Sequence, residues 1–273
     1  MLQPNFFNTL FVFPILNLLV LLYKGFLLIK IPGAFGFAII GLTVLIRGLF
    51  NPFFKKQIET AKKMAELKPH LDHLSTKHKD DKKTLQAEQM KLYQQAGINP
   101  TSGCLFMIIQ IPVFIALYQT LSLFLTNGQG VKAIAAINNV LYASFLKITT
   151  VDPMFLGINL ATTPKASGQW YYLLIPAVTA LLQYLQAQAT MPAPAAPTKE
   201  IVKPGEEPKK DDSGDFQKAM NTQMKFLFPV MIGWFSYTLP AGLSLYWNIF
   251  SLFSILQYRQ LKVDPNKLKT GSS

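Results

Sequence analysis

The chain has 273 residues, half of them apolar, with 21 Phe and a formal net charge of +12 at pH 7. Its apolar residues fall in long unbroken blocks, which excludes an ordinary soluble domain, and basic residues concentrated in a few loops speak for membrane orientation rather than nucleic acid binding. Cys104 is the single cysteine, so neither an internal disulfide nor a paired-cysteine zinc site can form.

The first 30 residues carry no basic n-region, no small-residue cleavage motif and no Arg- and Ser-rich transit pattern. Met1 is therefore expected to be the mature start, and the membrane that of a prokaryotic cell. Phe6 to Ile29 is apolar enough to be a span, but Asn17, Lys24 and the breaks expected at Pro4 and Pro14 suit a helix lying in the outer interface equally well. Residues 1–33 are taken as that interfacial helix, with a sixth span as the alternative.

A spanning helix needs roughly 20 apolar residues, because it rises about 1.5 Å per residue across a hydrocarbon core about 30 Å thick. Five segments meet or approach this: Ala34 to Phe54, Gly103 to Leu125, Gln169 to Gln188, Gln223 to Leu239, and Leu243 to Tyr258. The expected fold is an all-α membrane protein with five transmembrane helices, a cytoplasmic helical hairpin and the N-terminal interfacial helix.

The hairpin is residues 55–100. Met64, Leu67, Leu71 and Leu74 recur at helical spacing, and Leu85, Met90, Leu92 and Tyr93 form a second run. Asp80 or Asp81 caps the returning helix, Gly97 ends it, and Pro69 is expected to kink the first arm. Lysines from Lys55 to Lys91 place this stretch in the cytoplasm. Glu66, His70 and His73 share one face, a spacing compatible with a metal, but the reading adopted is polar residues on a solvated helix.

That side fixes the rest, with the N-terminus outside and the C-terminus cytoplasmic. Residues 126–168 form an extracytoplasmic loop with one short amphipathic helix near Ile134, Ile137 and Leu141. Residues 189–220 are a flexible cytoplasmic linker, rich in Pro and charge between Met191 and Asp215, and residues 259–273 a cytoplasmic tail. The last two apolar segments are short, roughly 25 Å each, and imply a locally thinned bilayer.

Arg47 lies in the first span, about 13 residues or roughly 20 Å from its outer end. An arginine there costs about 2.5 to 3.5 kcal/mol on insertion scales, so it faces protein or water and marks a functional site, unless it merely snorkels to the headgroups. No acidic residue occurs in the five spans, so its partners must be water or neutral dipoles. Candidates are Thr43, Gln110, Tyr118, Gln119, Gln183, Gln186, Tyr246, Trp247 and Asn248. Taken singly these suit helix-to-helix hydrogen bonds or core packing; together with an unpaired arginine they predict a wet cavity that offers a positive charge to a transient acidic segment.

The run Gly41-Leu-Thr-Val-Leu-Ile-Arg-Gly-Leu-Phe-Asn-Pro52 resembles the first core span of the YidC-type insertases, the YidC/Oxa/Albino family. Ala96 to Leu105 and Ile109 to Phe114 resemble its second span, and Leu239 to Asn248 its last, so the likeness covers roughly Gly33 to Leu261. It implies a membrane protein insertase and chaperone that works without nucleotide hydrolysis, through a hydrophilic groove closed outside and open to cytoplasm and lipid. Arg47 is implied to attract acidic residues of a translocating segment, with Thr43, Tyr246 and Trp247 near the substrate path and Gln183 a looser match; Gln110 and Asn248 complete the candidate groove. Nascent membrane proteins are the implied clients. Membrane lipid is an implied partner too, with the ribosome, the signal recognition particle receptor or the Sec translocon met through the hairpin; no direct nucleic acid contact and a monomer are expected. With no large extracytoplasmic domain before the core in this sequence and a short stretch after Tyr258, neither the form with an extracytoplasmic domain nor strong ribosome binding through the tail is expected.

No phosphate-binding loop and no nucleophile with a His and acid partner is found, so an enzyme and a cofactor are not expected. A secondary transporter is the main rival, since a lone intramembrane arginine can bind an anion, but repeated interrupted helices and a coupling carboxylate are missing. A passive assembly scaffold, the third reading, predicts that Arg47 is dispensable.

Overall fold

The computed structural model describes residues 2–78, 81–97, 101–125, 130–190 and 223–262. The 191–215 linker and all of the tail beyond Lys262 lie outside the described residues. The chain is mostly helical, and its long helices follow the apolar blocks.

A π-helical turn, Asn8–Val12, leads into helix α1, Phe13–Leu28. The break expected at Pro14 does not occur. The helix runs on from the π-helical turn through Pro14, and the wider turn before it makes room for the ring. Helix α2, Ala34–Leu49, ends at Phe50, and α3, Asn51–Lys77, starts at an angle of 63° to it. The apolar block from Ala34 to Phe54 is thus two helices: Pro52, second in α3, offers no N–H to the carbonyl of Gly48, so α2 cannot run on straight. Pro69 lies inside α3, which runs through it as one helix. Asp81 caps α4, Lys82–Gln95, by accepting from the N–H groups of Lys83 and Thr84, and Gly97 follows α4 with φ +64°.

Helix α5, Thr101–Leu125, is followed by α6, Val131–Asn138, and by a two-residue antiparallel hairpin in which β1, Met154–Phe155, pairs with β2, Ile158–Asn159. A short α7, Pro164–Ser167, precedes α8, Leu174–Thr190. A second π-helical turn, Gln223–Leu227, opens onto α9, Phe228–Thr238, and α10, Ala241–Lys262, closes the described chain.

The core lies between α1, α2, α5 and α10 and the segment joining α5 to α8, with Leu16, Leu19, Phe35, Leu42, Leu117, Leu121, Phe124 and Ile137 fully enclosed. Phe35 and Phe124 meet with ring centroids 5.5 Å apart, which sets the start of α2 beside the end of α5. Helices α8, α9 and α10 are joined by a buried hydroxyl cluster: Ser236 Oγ donates to Thr179 Oγ1 at 3.2 Å and lies 2.7 Å from Ser244 Oγ. The loop above them supplies acceptors to the free N–H groups of α10, with Ala241 N donating to Thr162 O at 3.0 Å and Gly242 N to Leu160 O at 2.9 Å.

Helix α1 crosses the bundle near one end. Val12 and Phe13 pack on Ala116, nine residues or about 13 Å from the end of α5. Leu22 and Phe26 are the side chains nearest Gly41, seven residues or about 10 Å from the start of α2. Asn17 ties α1 to the loop: its Nδ2 donates to Val140 O at 3.1 Å, and its Oδ1 accepts from Tyr142 N at 2.7 Å.

Candidate functional site

Arg47 occupies the last turn of α2, where the free carbonyls at a helix C-terminus favour a cation. It is only 3% exposed. Its Nη2 donates to the Phe250 carbonyl at 3.1 Å and to the hydroxyl of Ser254, and its Nη1 donates to Gln257 Oε1 at 3.3 Å. The guanidinium carbon lies 3.6 Å from the ring centroid of Phe250 and 4.1 Å from that of Phe54. Two rings this close cannot share one face of a planar group, so they flank it, each adding cation–π attraction. Gln257 also reaches across the bend, its Nε2 donating to Asn51 Oδ1 at 3.2 Å.

The arginine is therefore held by neutral dipoles and aromatic faces, with no acidic side chain among its partners in the described residues. The open wet chamber expected around it is not what surrounds it: side chains of α3 and α10 enclose it. Its Nε–H has no partner among the described residues, nor do the buried oxygens of Thr120, Asn248 and Ser251.

One helix face explains the partners. At 100° per residue, Tyr246, Phe250, Ser254 and Gln257 share a stripe of α10 turned toward α2. Tyr246 is 4% exposed and packs on Phe250 at 5.9 Å between centroids. Trp247, at the edge of the stripe, stacks on Phe114 at 6.3 Å with 10° between planes. Asn248 is some 160° away from Phe250 on the same helix and does not join Arg47.

Thr43 is on the right face of α2 and fully buried, but its hydroxyl donates to the carbonyl of Ile39, four residues back, at 2.7 Å. Gln183 is buried in α8. The side chain of Gln110 lies outside the described residues. Sequence reasoning missed Phe54, Phe250, Ser254 and Gln257; the signal for the last three was the spacing of four and three that continues from Tyr246.

Asn248 instead lines a cavity of about 540 Å³ near the loop end of the bundle, otherwise walled by apolar groups such as Leu156, Tyr171, Ile175 and Leu245. On α3, His70 and His73 face Glu88 and Lys91 of α4 across a smaller cleft. Glu88 is engaged by Lys91 at 3.0 Å, and among the described residues no group of three His, Cys, Asp or Glu is placed to hold a metal ion.

Residues 27–266 match the family model described as "60Kd inner membrane protein". The chain is 32% identical over 251 residues to the inner membrane protein ALBINO3, chloroplastic, of Arabidopsis thaliana, covering 89% of this chain and 49% of that protein. It is 31% identical over 248 residues to the membrane protein insertase YidC of Clostridium acetobutylicum, covering 88% and 81%. With the ALBINO3-like protein 2 of Chlamydomonas reinhardtii the identity is 34% over 85% of this chain and 51% of the relative. The chain thus spans about half the length of its chloroplast relatives and most of the clostridial one.

Proposed function

Because this chain belongs to the 60Kd inner membrane protein family, that of the YidC and Albino3 insertases, we propose that it is a membrane protein insertase whose Arg47 draws short acidic or polar segments of client chains into the bilayer. The observation that carries this is a buried guanidinium with no carboxylate partner among the described residues. Neutral dipoles hold a cation without cancelling its charge, so its attraction for an anion persists, and it is stronger in low dielectric than in water. The unpartnered polar atoms of Thr120, Asn248 and Ser251 supply further hydrogen-bonding capacity for water or a crossing peptide. Binding energy and a lowered electrostatic barrier suffice for this task, with no nucleotide consumed.

The proposed threading keeps five spans, with the lysine-bearing α3 and α4 as a hairpin in the cytoplasm of a prokaryotic cell. There α3 and α4 meet nascent membrane proteins and the ribosome, signal recognition particle receptor or Sec translocon that delivers them. Helix α1 is long enough to cross, at 21 residues with its π-helical turn. Its contacts at similar depths on α2 and α5, both near the loop end of the bundle, support the interfacial placement instead.

Insertion of a single-span client with a short acidic tail, in cells depleted of their own insertase, tests the proposal. Arg47→Ala is expected to abolish insertion and Arg47→Lys to restore it in part. Full activity of Arg47→Ala leaves the chain a scaffold; uptake of anionic solutes by vesicles makes it a transporter.

A further inference from the structure

We propose that the enclosure of Arg47 is a clasp, with the Phe50 bend as its hinge and Asn51, Phe54 and Gln257 as positioning residues that keep the guanidinium away from clients until α3 moves. The inference rests on the insertase reading above and adds how the site is regulated. Half of the enclosure comes from the first turns of α3: Phe54 supplies one aromatic face, and Asn51 holds Gln257. The other half is α10, with Phe250, Ser254 and Gln257. Arg47 itself belongs to α2, on the far side of the bend.

Gln257 is the shared node, accepting from Arg47 with one end of its amide and donating to Asn51 with the other. Phe50 stands between the helices at φ −88°, ψ 4°, outside the helical minimum, and Pro52 keeps the two helices from fusing across it. A rotation at Phe50 carries away Phe54 and Asn51 while leaving the backbone of Arg47 in place. One face of the guanidinium then opens, and Phe250 and Ser254 still hold its position. Helix α3 is 27 residues, or about 40 Å, long. A polypeptide that engages its far end, where Lys68 and Lys77 lie, therefore has a lever on the arginine.

The test uses the fact that Arg47 and Arg259 are the only arginines in the chain. In an Arg259→Lys background, phenylglyoxal modification read by mass spectrometry reports Arg47 alone. The expected result is strong protection in the parent and at least tenfold faster modification in Phe54→Ala and Asn51→Leu. A parent rate equal to that of a free arginine peptide, or variants no faster than the parent, overturns the clasp.

A second arm replaces Asn51 and Gln257 by cysteine in a Cys104→Ser background and bridges them with a short, reducible bis-thiosulfonate reagent. Insertion is expected to stop when the bridge forms and to return when it is reduced. Full insertion while bridged, with Arg47→Ala inactive, overturns the hinge and leaves the insertase reading standing. Full insertion by Arg47→Ala overturns both.

Discussion

The ring of Phe155 fills the space over Gly36: a Cβ at position 36 would lie 2.2 Å from Phe155 Cδ2. The hairpin of β1 and β2 is thereby seated on α2, its turn made by Leu156 and Gly157 at φ +50° and +82°. Gly36→Ala must expel the ring, at a cost of about 1 to 3 kcal/mol for overpacking. Thermal unfolding in detergent should show a lower Tm. Gly25→Ala is the matched control of opposite sign, since a Cβ there would meet no other segment of the described residues within 4 Å and a mid-helix alanine gains about 0.5 to 1 kcal/mol over glycine.

Asn17 serves the loop and α1 at once, donating to Phe13 O at 2.8 Å besides its bonds to Val140 and Tyr142. Asn17→Leu keeps the branched shape and leaves the Val140 carbonyl and Tyr142 N–H without it, at about 1 to 3 kcal/mol if they stay buried. Faster amide hydrogen exchange across residues 139–146, with α2 unchanged, is the expected readout.

The hydroxyl cluster of Thr179, Ser236 and Ser244 is fully buried. Ser236→Ala removes both of its contacts, and with hydrogen bonds between membrane helices averaging about 0.6 kcal/mol, a loss near 1 kcal/mol is expected. Unfolding in mixed micelles measures it, and a double-mutant cycle with Thr179→Val should return a coupling that a cycle with a distant serine does not.

The carboxyl of Asp81 is held below its usual range, first by the hydroxyl of Thr84 and then by backbone N–H groups. A depressed folded-state pKa means that the cap contributes fully above the unfolded value of about 3.9 and is lost as pH falls through the folded value. Helicity of α4 should hold from pH 7 to about 4 and decline below that. Asp81→Asn, which caps without titrating, should reduce the decline to what protonation of Glu88, paired with Lys91, contributes.

The arginine was legible in the sequence because a lone cation in an apolar block is costly wherever it points. So were a cap at Asp80 or Asp81, of which Asp81 serves, and the end at Gly97, which are local rules. The bend at Phe50 was not: Phe53 and Phe54 are as apolar as the residues before them, and hydropathy reports transfer energy rather than direction. The hydrogen-bond partners of Arg47 lie 203 to 210 residues away in the chain, so no window of sequence contains them. Asn248 was grouped with Tyr246 by proximity in sequence, although two residues of helix turn them about 200° apart.

Both π-helical turns end at a Phe-Pro pair, Phe13-Pro14 and Phe228-Pro229. A turn closed by i→i+5 bonds holds one residue more than its α-helical neighbours. Each of these helices thus carries a spare residue just before its proline, and a single-residue deletion there has somewhere to come from. Chains shortened by one at Asn8–Val12 or Gln223–Leu227 should still fold, with the preceding side chains rotated by about 100°. The same deletion in the middle of α2 would turn Arg47 out of its enclosure.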